Sequence, residues 1–411
     1  MDAEFGFSAF STELEDFVMR KTRDFDRQWR VGRGGSVCFS EIKDGTAYFG
    51  DCDGYIYAVD LNTGKALWAF RSNGTILGAP FIQNGHLYFG SYDRNLYCLD
   101  KKTGKELWRF ESGGGICRPV HCSGGRVYFG SKDCCLYCID SETGKEVWRF
   151  RTGGDIGTGA IVHGGRIYFG SFDNNFYCLN LEGKEIWRVK TGDHVQMFGP
   201  PLIHENTVYF GSFDNCFYAA DAETGKVKWK FRFGIYGSGG NYIAHKGMLY
   251  FPARDGILYA LTAGGKELWR FRAEGLIAGV SAHDERIYFG SEDGNVYCLS
   301  LEGRELWRFR TGMEIFDNPK IYEGKLCFGC WDCRYYCIDV NTRKVMWRFD
   351  CSSLSPAYLP PSYDTFEMEI SRGSSSEEDG KEKYSVNLTG RESFDSEYSV
   401  KSQYVTKSEY G

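Results

Sequence analysis

No stretch of this sequence approaches the ~18 consecutive apolar residues that a membrane-spanning helix needs, so no membrane insertion is expected. The opening MDAEFGFSAF is acidic and lacks both a basic leading region and a long apolar segment, so it does not read as an export signal. A cytoplasmic chain is therefore expected, with its 16 cysteines reduced rather than paired. A basic stripe is also missing. The net charge is −6, residues 1–28 contribute −3, residues 362–411 contribute −5, and the middle is close to neutral at +2. Nucleic acid is not an expected partner of such a surface. There is no C-x-x-C-H haem motif, no phosphate loop and no Ser/His/Asp constellation. Proline is scarce, with 9 residues, whereas glycine reaches 52 and aromatics 17%. Many turns joining aromatic strands make an all-β protein the expectation.

What is present is repetition. Trp29, Trp68, Trp108, Trp148, Trp187, Trp229, Trp269, Trp307 and Trp347 are spaced by 38 to 42 residues. The segments LYFGSYDRNLYCLDKKTGKELWRF (87–110) and VYFGSKDCCLYCIDSETGKEVWRF (127–150) agree at 16 of 24 positions. Each unit parses into an aromatic strand, an S-x-D turn, a second strand such as LYCLD, a T-G-K turn, and a strand carrying the Trp. A weaker fourth strand follows, as in GAPFI (78–82) or GAIVH (159–163). The turn aspartates Asp53, Asp93, Asp133, Asp173, Asp214, Asp255, Asp293 and Asp332 are placed to accept nearby backbone N–H groups. Four short strands per ~40 residues, repeated radially, predict a β-propeller of four-stranded antiparallel blades. Closing the ring buries every blade face, with Trp68, Trp108, Trp148, Trp187, Trp229, Trp269, Trp307 and Trp347 docking each blade on its neighbour. The Arg or Lys beside most of these tryptophans reads as protection of an edge strand against pairing. Trp29 and Trp347 compete for the strand that completes the ring.

The pattern V/I-Y-F-G-S-x-D-x-x-x-Y-x-L-D-x-x-T-G-K-E-x-W resembles the PQQ-like, quinoprotein-type propeller repeat, over residues 29–350. It is also similar in its repeats to the bacterial outer-membrane assembly lipoprotein. No Trp of the repeat is followed by Asp, unlike the WD40 pattern. The resemblance implies eight blades, and three regions follow: a helical segment over 1–28, the propeller over 29–351, and a polar extension over 352–411. In the first region a helix is expected over 11–27, capped by Thr12 and Glu15. In the last, FEMEIS and KYSVNLT alternate like the strands of a hairpin, ahead of a Ser/Tyr-rich tail.

Two cysteine features invite chemistry. Cys327, Cys330, Cys333 and Cys337 have the spacing of a bacterial ferredoxin run. In repeat register, however, they fall on one hairpin, and Cys337 occupies the slot of Cys98, Cys138, Cys178 and Cys298, so they read as small buried residues rather than metal ligands. The adjacent Cys134 and Cys135 invite comparison with the vicinal disulfide that the resemblance associates with PQQ-dependent alcohol dehydrogenases, but a reducing compartment disfavours it. His121, His163, His204, His245 and His283 fall one per blade, in the turn after the inner strand, too dispersed to share a metal.

A site is expected where the connections into the inner strands surround the channel mouth. Its polar candidates for a ligand or partner are Arg118, Asp155, His194, Gln196, Asn241, Asp317 and Asn318. The regular spacing leaves no insertion to roof that face, and a domain of almost pure repeats suits binding. The expected function is a non-catalytic scaffold that binds a protein partner through its rim or top face, with no cofactor. The alternative implied by the resemblance is a PQQ-dependent oxidoreductase using PQQ with Ca²⁺, or a small-molecule sensor, at the channel mouth.

Overall fold

A computed structural model of the chain describes residues 36–351, apart from 194, 196–198 and 235–239. The expected helix over 11–27, Trp29, and the expected hairpin and tail after 352 lie outside the described residues.

Eight four-stranded antiparallel sheets follow one another along the chain, each made of four consecutive strands. They are blades one to eight, over 37–71, 81–111, 121–151, 161–190, 202–232, 243–272, 277–310 and 320–350. The inner strand comes first and the Trp-bearing strand last. The five expected histidines belong to the inner strands: His121 opens one, and His163, His204, His245 and His283 each end one rather than lying in the turn beyond.

The second strand is buried on both pleat faces, as Leu87, Tyr88 and Phe89 show, because each blade is covered by a neighbour on either side. Phe89 stacks on Tyr97 of its own blade at 5.1 Å, and Phe70 of blade one meets Tyr97 edge-on at 5.5 Å. The edge-on contact recurs from Phe110 to Tyr137, Phe150 to Tyr177, Phe231 to Tyr259 and Phe271 to Tyr297. It recurs again from Phe349 of blade eight to Tyr57 of blade one, at 5.2 Å. The two ends of the propeller therefore meet with the packing used everywhere else, and the ring is closed.

The Trp docks as its period predicts. The indole N–H of Trp68 donates to Lys101 O of blade two at 3.0 Å, and that of Trp108 to Ser141 O of blade three at 3.1 Å. Trp347 donates to Leu61 O of blade one at 2.9 Å, so the outer strand of blade eight is the one carrying Trp347. Blade five's seam differs: Ala222 O accepts from the Tyr168 hydroxyl at 3.0 Å and from Arg166 Nη1 at 3.3 Å, while Trp187 Nε1 is buried with no acceptor among the described residues.

The T-G-K glycine has two reasons to be there. Gly104 has φ +68°, and a β-carbon on it would lie 2.6 Å from the Trp68 ring seated on it. The Y-F-G glycine, replaced by Pro252 in blade six, receives the next blade's apolar residue: Gly90 faces Ile116, and Gly329 faces Val37 across the closing seam.

In every blade the pairing of the third and outer strands shifts register just before the Trp, as between Cys98 and Leu99 in blade two. This bulge leaves Leu107 and Leu268 exposed on an otherwise half-buried edge. The arginine after the Trp is held in place. Arg109 donates two hydrogen bonds of 2.6 Å to Glu106 and lies 5.2 Å over the Tyr97 ring, and Arg149, Arg188, Arg270 and Arg308 do the same. These charges guard the edge without forming a basic surface.

Candidate functional site: the channel mouth

The S-x-D turn is a clasp built from its own repeat. In blade two Asp93 Oδ1 accepts from Asn95 N–H at 2.9 Å, while Oδ2 accepts from the Tyr97 hydroxyl at 2.7 Å and from Asn73 N–H at 2.9 Å. Asp133 and Asp173 are held in the same way. In blade one Asp51, two residues before Asp53, accepts as well: from Tyr55 N–H at 2.8 Å and from the Tyr57 hydroxyl at 3.1 Å. Burial holds the Asp51 carboxyl well above the usual carboxylate range.

With the aspartate fixed, the residue before it is fixed as well. Its backbone N–H donates to the strand leading inward, as from Tyr92 to Thr75 O, Lys132 to Gly115 O and Trp331 to Glu314 O, each at 3.0 Å. This middle position is where the turn stops repeating. It holds Cys52, Tyr92, Lys132, Phe172, Phe213, Arg254, Glu292 and Trp331 in blades one to eight. Successive members touch: Lys132 lies 5.4 Å over the Tyr92 ring, and Arg254 4.9 Å over the Phe213 ring. Trp331 packs on Phe316 at 4.4 Å, within a cluster that also holds Cys38, Phe39, Leu276 and Ala278. Those residues come from blades eight, one and seven, with Leu77 of blade two beside them. Side chains from four blades meet only near the axis, so the cluster marks the channel mouth. Glu292 is half-buried there; burial lifts its carboxyl above the usual range, and the nearby Glu314 charge adds to the lift.

Of the sequence-derived candidates, those described are buried or half-buried. Asp317 is fully buried in the closing seam. It accepts from Ser40 N–H at 3.1 Å, the Ser40 hydroxyl at 2.7 Å and Gly329 N–H at 2.8 Å. Burial pushes its carboxyl up to about 6, against the pull of those donors. Asn318 fills the hollow over Gly279 of blade seven, and Asn241 the hollow over Gly199; both Oδ1 atoms are buried without a partner among the described residues. Arg118 is buried against Gly78. Asp155 is half-buried, accepts the Cys134 thiol at 3.8 Å, and gives its carbonyl to Phe172 N–H at 2.8 Å. His194 and Gln196 lie outside the described residues. Apart from the neighbours Asp317 and Asn318, the described candidates are dispersed around the ring. The residues that do gather, at the turn's middle position, were legible only as the one varying letter in a constant turn.

The four-cysteine hairpin packs as core. Cys327 lies directly across from Cys337, both in a cluster with Tyr335 and Trp347. The thiol of Cys330 donates to Met313 O at 3.4 Å. The neighbouring Cys337 and burial hold the Cys327 thiol far above its ordinary value, and burial does the same to Cys330. Thiolate is the form that ligates metal, so these surroundings oppose ligation. Among the described residues no group of three or more His, Cys, Asp or Glu is placed to hold a metal. Cys134 and Cys135 are free thiols.

Comparison with known proteins follows the geometry. The sequence profile described as "Beta-alanine-activating enzyme, beta-propeller" matches residues 116–376. That described as "Outer membrane protein assembly factor BamB" matches residues 52–137. No curated protein sequence matches significantly. Among solved structures, the computationally designed Ika8 protein superposes with a TM-score of 0.67 at 16% identity, over 75% of this chain and 96% of its own. BamB from Moraxella catarrhalis gives 0.64 at 17%, over 71% and 93%. At these identities the likeness is one of fold.

Proposed function

This chain belongs to the β-propeller family described for the beta-alanine-activating enzyme, and from that premise we propose that it is a non-catalytic cytoplasmic scaffold that binds a protein partner through the mouth-bearing top face. The observation that carries the reading is the mouth itself. A position free to vary is aromatic in four of eight copies, Tyr92, Phe172, Phe213 and Trp331, and its backbone is held by hydrogen bonds in a rigid ring. Large side chains with few rotors, pre-positioned, are what protein interfaces concentrate. Lys132, Arg254 and Glu292 interleave with them and supply polar contacts.

The quinone reading needs carboxylates that converge on Ca²⁺. Asp317 is occupied by three donors inside the seam, and Glu292 is half-buried beside Arg254. The residues present do not fit PQQ with Ca²⁺, and no step is derived through them.

The test is quantitative affinity capture with the whole chain, in three forms: wild type, a Tyr92/Phe172/Phe213→Ala mouth variant, and a Leu107/Leu268→Ser rim variant. The expected result is a partner retained by wild type and the rim variant and lost by the mouth variant. A partner held equally by all three, or none captured, overturns the mouth assignment. Saturable PQQ binding with dye-linked alcohol oxidation overturns the scaffold reading altogether.

A further inference from the structure

Repetition supplies an internal control for the top face. Four positions of each blade surround its S-x-D turn: the last residue of the preceding outer strand, the middle turn residue, the residue after the Trp, and the last residue of the blade's own outer strand. In blade three they are Glu111, Lys132, Arg149 and Arg151; in blade seven, Arg272, Glu292, Arg308 and Arg310. In blade six all four are arginine: Arg232, Arg254, Arg270 and Arg272.

The packing beneath them changes too. In blades two to four a Ser or Thr leading into the blade pairs with the turn serine, Ser72 with Ser91 at 3.2 Å, Ser112 with Ser131 at 3.5 Å and Thr152 with Ser171 at 3.2 Å. Blade six has Phe233 and Ala253 there, which cannot make that bond. The Tyr-to-Asp clasp of six other blades is missing between Tyr259 and Asp255 among the described residues. Blade six has a cleft of about 630 Å³ at this place, within the roughly 300–1,000 Å³ range of small-ligand sites. Phe233, Ile257 and Tyr259 give it apolar surface, and the four arginines face two carboxylates, Asp255 and Glu274. Arg270 is matched by Glu267 at 2.7 Å. Arg254 also lies beside Glu292, Arg232 and Arg272 complete the set, and burial raises the Asp255 carboxyl.

We propose that this cleft binds a phosphate monoester carried on an apolar stem. Guanidinium forks match phosphate oxygens two at a time. A phosphate monoester offers three acceptor oxygens and close to two charges, enough for several arginines, whereas a carboxylate offers two oxygens and one charge. The apolar surface takes the stem. The site adjoins the mouth through Arg254, which lies over the Phe213 ring, but it needs no protein partner, so it stands or falls independently of the scaffold reading. The ester is either a free small molecule or a phosphorylated aromatic side chain.

The test is titration calorimetry of the full chain at low salt with phenyl phosphate, against benzoate and phenol. Saturable binding of phenyl phosphate is expected, with benzoate and phenol far weaker. Arg254→Gln and Arg272→Gln should each weaken it by about tenfold or more, with unchanged melting temperatures. Arg310→Gln, the corresponding outer-strand position of blade seven, should leave it intact, as should a Tyr92/Phe172→Ala variant, which spares the Phe213 ring beneath Arg254. A phosphotyrosine peptide that binds more tightly than phenyl phosphate identifies a protein-borne ester; equal binding identifies a free one. No saturable binding, benzoate equal to phenyl phosphate, or an Arg232/Arg254/Arg272→Gln variant that binds like wild type overturns the proposal.

Discussion

Asp317 is a carboxylate taken fully out of water to join the first and last blades. Its pKa of about 6, against an ordinary 3.8, means the folded chain holds that proton more tightly than the unfolded chain. Its contribution to stability is therefore complete below the ordinary value and is lost as pH rises through about 6, a change of up to about 3 kcal/mol. Asp317→Ala should destabilise by about 2–3 kcal/mol at pH 7, by stripping three donors of their acceptor. The gap to wild type should widen toward pH 4, and urea midpoints at pH 4, 5.5 and 7 measure it. A second residue departs from its repeat. Arg343 has φ 60° where the other seven T-G-K copies have glycine. Arg343→Gly should raise stability by about 0.5–1 kcal/mol, since relief of a left-handed side-chain backbone outweighs the added freedom of the unfolded chain.

At the scale of the element, the outer strand is both anchor and edge. Its Trp reaches the next blade, so Trp108→Ala should cost about 3–5 kcal/mol. The residue beside it points outward from a bulge, and blade five already has Lys228 there. Leu107→Lys should accordingly change stability by less than about 0.5 kcal/mol. Paired denaturation curves separate the two. The hairpin of the second and third strands shows how much could be read locally. The turn aspartate and the N–H it accepts are two residues apart, so spacing predicted that bond, whereas the Tyr97 hydroxyl and the Asn73 N–H that complete the clasp are seen only in the structure. The part played by Asp51 in blade one escaped that reading, because it stands in a slot that is serine in most other blades.

For the whole molecule, closure gives the last seam the same contact that most other seams use. Trp347 and Leu61 are 286 positions apart in sequence, yet their contact copies that of Trp68 with Lys101. Trp347→Ala should therefore cost about the same 3–5 kcal/mol as Trp108→Ala. A much smaller loss in thermal or urea unfolding would mean that another strand completes the ring. The mouth exists only at this scale, since each blade contributes one or two side chains to it.

By itself, the sequence determined the repeat, the four-stranded unit, the number of blades, the docking tryptophans and the core role of the cysteine hairpin. Each of these rests on contacts inside one ~40-residue unit or on the same contact made from one unit to the next, and a period records both. Tertiary structure alone decided that Trp347 completes the last blade, that Asp317 is buried in the closing seam, and that the varying turn residues gather at the axis. Those depend on which side chains become neighbours when the ring shuts, and residues nearly 300 positions apart leave no spacing to read.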